Sequence, residues 1–417
     1  MFWVVPSVSV VLSIGLAIGL VVLDQHLGRL QDSFLYPGPP GGARSLLSSI
    51  VTAMITFTGM VFSVSIVVLQ LTNGQFSSRV VRIYLRDVIV QLTLGMCMAS
   101  FVYAMVVLRT VQGGGGQAPF VPRIAVTVSL VLVIATIGVF IQYVSHVANM
   151  ARVATIVRYL GNDSHRCLEA RYPAGLAPPE QVGSLPSASG TISAQRSGVL
   201  VSLNEDRLVE LAGTEDCVLR FVPRLGDFVA TGAPLCEVLS DGGRADRRDA
   251  PRGSEGPDTQ DAQEVQDDDA RWEKLRVDVE RASAFDSERT MEQDLAFGIR
   301  QLVDIAERAL SPSLNDPTTA TQCLDVLHDL LRQLAGRVLP DGVHRGGDGA
   351  VRLVVPQYDF GDLLDLALTE IWHYGSDGVQ VPARLSTLVD DLGAVAIPEH
   401  QEAVRRWEQR LRDGSAR

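Results

Sequence analysis

"SIVTAMITFTGMVFSVSIVVLQLT", Ser49 to Thr72, decides the class of fold. It carries no charged side chain, and it exceeds the roughly 20 residues that an α-helix needs to cross a bilayer. It is not uniformly apolar, however. Thr52, Thr56, Gly59, Ser63 and Gln70 follow one another at spacings of four, three, four and seven, which is one side of a helix. Thr58, Ser65 and Thr72 form a second line at spacing seven. Lipid offers no hydrogen-bond partner, so such a stripe is expected to face protein or water. Two readings stay open. Small and hydroxylated residues let membrane helices pack closely. Alternatively, several copies around one axis could enclose a water-filled path, which without a charged ring would select weakly by charge.

Three further stretches, Phe2 to Leu23, Val88 to Leu108 and Ile124 to Tyr143, have the same length and apolar character. The first lacks a basic start and a small-residue cleavage site, and it reads as a retained anchor. Arginines set the orientation. Arg79, Arg82 and Arg86 follow the second span, and Arg152, Arg158 and Arg166 follow the fourth. In the first loop Arg29 and Arg44 are offset by Asp24 and Asp32, and the third loop is mostly glycine. The N-terminus, the second loop and the long tail are therefore expected on the cytoplasmic side of the cell's inner (plasma) membrane. Gln142, His146 and Asn149 share a face at the cytoplasmic end of the fourth span and are candidates for an interface or gate. Imidazole chemistry would suit a pH response.

Composition excludes several chemistries. Lys274 is the only lysine of the 417 residues, so no phosphate-binding GK[ST] loop exists and a Schiff-base lysine is not expected. Cys97, Cys167, Cys217, Cys236 and Cys323 include no CxxC pair, and no histidine has zinc-ligand spacing. No metal or cofactor is expected. The net charge of -12 argues against nucleic acid as a partner.

Beyond the spans, the helical pattern runs on toward Leu160, giving a membrane domain over 1–160. A linker rich in Pro, Gly and Ser is expected over 161–189. Residues 190–241 hold short β-type runs cut by turns, such as "GVLVSL" and "CVLRFV", with a helical insert "NEDRLVELA". The run "GDFVATGAPLCEV" (Gly226 to Val238) resembles the turn and strand of barrel-sandwich carrier domains, but no lysine is present to carry a swinging arm. A structural or docking barrel is the expectation. The acidic, apolar-poor stretch 242–270 is expected to be a disordered insertion. Residues 271–417 are expected to be mainly helical, with one short strand at "VRLVVP" after a flexible "RVLPDGVHRGGDGA".

The best marked joint is "ALSPSLNDPTTATQCLDVL", Ala309 to Leu327. Ser311-Pro312 stops one helix. Asn315 and Asp316 then lead into Pro317 and Thr318, with Asp316 as N-cap and Pro317 at the first helical position. The alternative is an anion site at that helix start, aided by Arg300 or Arg308. Asp316 already fills the acceptor role there. Asp294, Asp304, Asp316 and Asp325 are the carboxylates from which an active site would have to be built, and no nucleophile–base pair stands out beside them.

"RTMEQDLAFGIRQLVDIAERALSPSLNDPTTATQCLDVL" (Arg289 to Leu327) resembles the signature of a bacterial predicted membrane-protein family catalogued as domain of unknown function 2254 (DUF2254). "TFTGMVFSVSIVVLQLTNGQFSSRVVRIYLRD" (Thr56 to Asp87) is similar to that family's other marked region, and "GDFVATGAPLCEV" fits its pattern. The resemblance implies an architecture and no mechanism. The overall expectation is four membrane helices followed by a cytoplasmic α+β region, with a small lysine-free barrel and a helical domain. The leading functional expectation is a channel-like or transport-like homo-oligomer in the bilayer. The alternative is a membrane-anchored scaffold for a soluble partner. An enzyme is not expected.

Overall fold

A computed structural model describes residues 3–27, 36–75, 87–111, 120–150, 152–178, 183–240 and 259–415. Arg79, Arg82 and Arg86, the glycine-rich third loop and residues 242–258 lie outside the described residues. The chain divides into two compact units, Met1–Ile156 and Val157–Arg417.

The first unit is built from α1 (Val4–Leu27), α2 (Pro40–Gln75), α3 (Val88–Thr110) and α4 (Arg123–Met150). All four are long and apolar enough to cross a membrane. α3 is the central helix. Buried residues make up 56% of its apolar stretch, against 17–22% in the other three. The bundle is joined by hydrogen bonds that apolar packing cannot supply. Tyr103 donates to the Ala125 carbonyl at 2.9 Å. The Thr136 hydroxyl donates to Leu132, so it accepts from Ser100 at 2.8 Å. Tyr143 donates to the Val61 carbonyl and accepts from Ser65 at 3.0 Å. Asp24, on α1, accepts from the Ile124 and Ala125 amides at 3.1–3.2 Å and so caps the start of α4 from another helix.

α5 (Val153–Arg171) begins in the first unit and supplies the first helical turns of the second, carrying on through the first part of the expected linker at 161–189. Close packing explains it. Gly161 lies against Val326, and a side chain at Gly298 would meet the Ser164 hydroxyl. There follow β1 (Ala188–Ser193), β2 (Gly198–Leu203), α6 (Glu205–Thr214), β3 (Val218–Phe221), β4 (Phe228–Val229) and β5 (Pro234–Leu239). Next is α7 (Thr259–Ala282), so the later part of the expected disordered insertion, 259–270, is helical. Two causes are legible. The acidic sequence that argued for disorder suits the positive end of a helix dipole. Leu275 and Val279 join the core of the small sheets, and Trp272 packs on it, filling the space left by Gly190.

β6 (Ser283–Asp286) comes next, then α8 (Leu295–Ala309) and α9 (Pro317–Ala335). The apolar face of α8, Leu295, Ile299, Leu302, Ala306 and Ala309, is buried. β7 (Val343–Arg345), β8 (Val351–Val354), α10 (Phe360–Gly375), α11 (Gln380–Val395), a 3-10 turn at Pro398–His400 and α12 (Gln401–Ser415) complete the unit.

The strands do not stay within 190–241. One sheet has the order β1-β5-β3-β8-β7, and the other β4-β2-β6. β3 and β8 pair in parallel, with Leu219 opposite Leu353. β6 pairs with β2, with Leu200 opposite Phe285. The expected barrel and the expected helical domain therefore share their sheets. The loop read as flexible contributes β7, which pairs with β8.

Candidate functional site

In the membrane unit, Thr52, Thr56, Gly59, Ser63 and Gln70 are all exposed on the isolated chain. The stripe therefore faces away from its own bundle. The Thr52 and Thr56 hydroxyls donate to the carbonyls of Ser48 and Thr52 at 3.0 and 3.1 Å, leaving oxygen lone pairs outward. Gly59 has open space above it. Outward aliphatic side chains flank it on α2 itself, at Ile55, Met60, Ile66 and Val67, and dominate α1 and α4, with Val8, Val11, Leu12 and Ile18 on one and Val131, Ile134 and Ile141 on the other. The second polar line behaves differently. Thr58 is half-buried and Ser65 is bonded to Tyr143, so that line packs inside. The Thr72 side chain lies outside the described residues.

Of the three candidates at the end of α4, Gln142 and Asn149 are exposed, and His146 reaches α3. Its Nε2 lies 2.8 Å from Asp87 Oδ2. The other oxygen of Asp87 accepts from the Ile89 and Val90 amides and caps α3. Sequence reasoning did not bring Asp87 into this site, although an Asp directly before an apolar helix is an N-cap signal.

In the second unit the marked joint is a helix stop and restart. α8 ends at Ala309, Asn315 adopts φ 45°, and Asp316 accepts from the Thr319 amide at 3.1 Å and its hydroxyl at 2.6 Å. Asn tolerates the left-handed region better than most residues. Those hydrogen bonds hold the Asp316 carboxyl below its ordinary range. Pro317 is the first helical residue, and Thr318 follows it. Arg300 is committed to Asp304, Glu307 and Glu370, so it does not serve this turn.

The chemistry-bearing residue of this region is Asp294. It is 4% exposed, caps α8 through Phe297 N at 3.0 Å, and accepts from Arg289 Nε at 2.9 Å. Burial raises its carboxyl above the usual range, and the Arg289 guanidinium opposes that shift. Gly226, at φ +91°, lies directly against both groups. A Cβ there would sit 2.3 Å from Asp294 Oδ2 and 2.6 Å from Arg289 Nε. Beside them the Gln293 amide brackets the backbone of Leu203, at 3.0 Å to N and 3.2 Å to O. The barrel motif beginning at Gly226 and the signature beginning at Arg289 thus meet at one buried ion pair. Asp304 and Asp325 are elsewhere, paired with Arg300 and Arg384. The four aspartates each have separate partners and do not form a carboxylate pair.

The thiols of this unit are buried. Burial pushes Cys167 and Cys217 up to about 11 and Cys323 up to about 12, which keeps them protonated. Among the described residues no group of three His, Cys, Asp or Glu is placed to hold a metal ion.

Four apolar helices followed by an α+β unit with two small sheets define a multi-span membrane protein. The chain belongs to the family described as Predicted membrane protein (DUF2254), whose model matches residues 1–391. It is 32% identical over 397 residues to the uncharacterized proteins Mb1321c of Mycobacterium bovis and Rv1290c of Mycobacterium tuberculosis, covering 94% of this chain and 71% of each relative. No solved structure matches it.

Proposed function

We propose that the chain is a channel-like or transport-like homo-oligomer of the cytoplasmic membrane, with the outward stripe of α2 facing a shared axis. The carrying observation is the exposure of Thr52, Thr56, Gly59 and Ser63 on a helix whose neighbours present aliphatic side chains outward. Lipid gains nothing from those hydroxyl lone pairs, whereas water or a second copy can donate to them. In this reading the termini are cytoplasmic and the second unit assembles or gates the path. The bilayer and further copies are its partners, nucleic acid is not, and no reaction is catalysed.

Native mass in nanodiscs is the first test. A ring supports the shared axis, and a monomer removes it. In a ring, replacing Thr56 and Ser63 with leucine should abolish flux through reconstituted vesicles while the mass stays unchanged. Flux at the wild-type level would refute the lining assignment.

A second reading, a membrane-anchored scaffold, has one observation in its favour. Phe228 and Val222 are 68% and 48% exposed beside the small sheets. In that case the full-length Phe228→Ser protein should fail to retain a soluble partner that the wild type captures, and retention would count against it.

A further inference from the structure

The second unit contains a cavity of about 520 Å³ between the start of α10, the 3-10 turn, α12 and the loop at Leu339–Asp341. Ligand pockets commonly span roughly 300–1,000 Å³. Tyr358 lines this cavity with one face covered by the Arg224 guanidinium at 4.5 Å, and Phe360 is buried beneath it.

His400, which lines the cavity, is only 8% exposed and stacks on Phe360 at 4.4 Å. Its Nδ1 lies 3.2 Å from the Ala335 carbonyl. A carbonyl only accepts, so Nδ1 carries the proton. Burial holds the imidazole below its ordinary range, which favours the neutral ring. Nε2 is then a lone pair, and it has no partner among the described residues.

The rim of the cavity is rich in acceptors. Asp341, Asp359, Glu399 and Glu402 line it with Arg406, and Arg224, which stacks on Tyr358, is paired with Asp362. Asp341 accepts from Val343 N at 2.9 Å and Asp359 from Asp362 N at 2.7 Å, each through one oxygen. Glu399 and Glu402 are exposed and make no hydrogen bond or ion pair among the described residues. An anion entering here would meet four carboxylates. A group that donates hydrogen bonds and carries positive charge would find an unpaired imidazole acceptor and an excess of negative charge.

We propose that this cavity binds a small organic ammonium compound, with His400 Nε2 accepting one of its N–H groups and Glu399 and Glu402 attracting its charge. The proposal does not rest on the α2 reading, and native mass is independent of it.

The test is calorimetric titration of the full-length protein in nanodiscs with spermidine, a linear triamine, at moderate salt. The expected result is saturable binding of one equivalent. Glu399→Gln with Glu402→Gln should weaken it about tenfold or more, and His400→Gln should weaken it with the rim charges intact. The control removes the same charge from exposed sites away from the cavity, Glu210→Gln with Glu292→Gln, and should leave affinity unchanged. Equal weakening by the control pair would mean that only the net charge of -12 attracts the amine, which overturns the proposal. Absence of binding overturns it too, as does Arg406-dependent binding of inorganic phosphate in its place.

Discussion

Asp294 and Asp316 open consecutive helices through the same bond, a carboxylate oxygen accepting an amide at 3.0 and 3.1 Å. Asp294 is buried against Arg289 and Gly226, where the barrel motif meets the signature. Asp316 stands exposed, bonded to the first turn of its own helix through Thr319. Burial raises the first carboxyl, and hydrogen bonding lowers the second. A local capping motif therefore says where a helix starts, whereas the surroundings decide what the residue is worth.

The largest expected effect comes from breaking the buried member. Asp294→Ala uncaps α8 and strands the Arg289 guanidinium, which should cost about 3–5 kcal/mol of unfolding free energy. Denaturant unfolding followed by tryptophan fluorescence reads it, and a loss near the exposed-cap value would erase the distinction. Gly226→Ala comes next. It forces a Cβ onto both charged groups at a left-handed backbone position and should cost about 1–3 kcal/mol in the same assay. Asp316→Ala should cost only about 1 kcal/mol, and Asp316→Asn less, because asparagine also caps.

The smallest effect sharpens the comparison through pH. The Asp316 carboxyl is lowered in the fold, so its contribution is present above the ordinary aspartate value of about 3.9 and fades as pH falls through the folded value. The Asp294 carboxyl is raised, so its ionised form works against the fold and its contribution improves as pH falls. Unfolding curves from pH 7 to about 2 should show the gap between wild type and Asp316→Asn closing at the acid end. A gap that widened would reverse the assignment.

Much of the architecture is legible residue by residue. The four spans declare themselves because a bilayer imposes a length and forbids charge. The Asp316-Pro317 restart is legible because both residues act within one turn. What escaped depends on distant partners. β6, β7 and β8 are three or four residues long, and each is a strand only because β2, β3 or a neighbour supplies the other half of its ladder. Asp24 counts in the sequence as a loop charge, and only the bundle makes it the cap of α4. Residues 259–270 are poor in apolar side chains, with Val265 the largest, and are helical in a segment that Trp272, Leu275 and Val279 bind to the core of the small sheets. The stripe on α2 was visible as a stripe, but periodicity carries no information on which way a helix is turned.

The parallel pairing of Leu219 with Leu353 also has a consequence in time. On a ribosome adding about 5–20 residues per second, β3 emerges on the order of ten seconds before its partner β8. Throughout that interval the nascent sheet presents an unpaired edge, by which time the hydrophobic spans have already left the tunnel. Early engagement of the spans by the membrane would hold nascent copies apart in the plane of the bilayer, at the stage when edge-to-edge association is the main hazard.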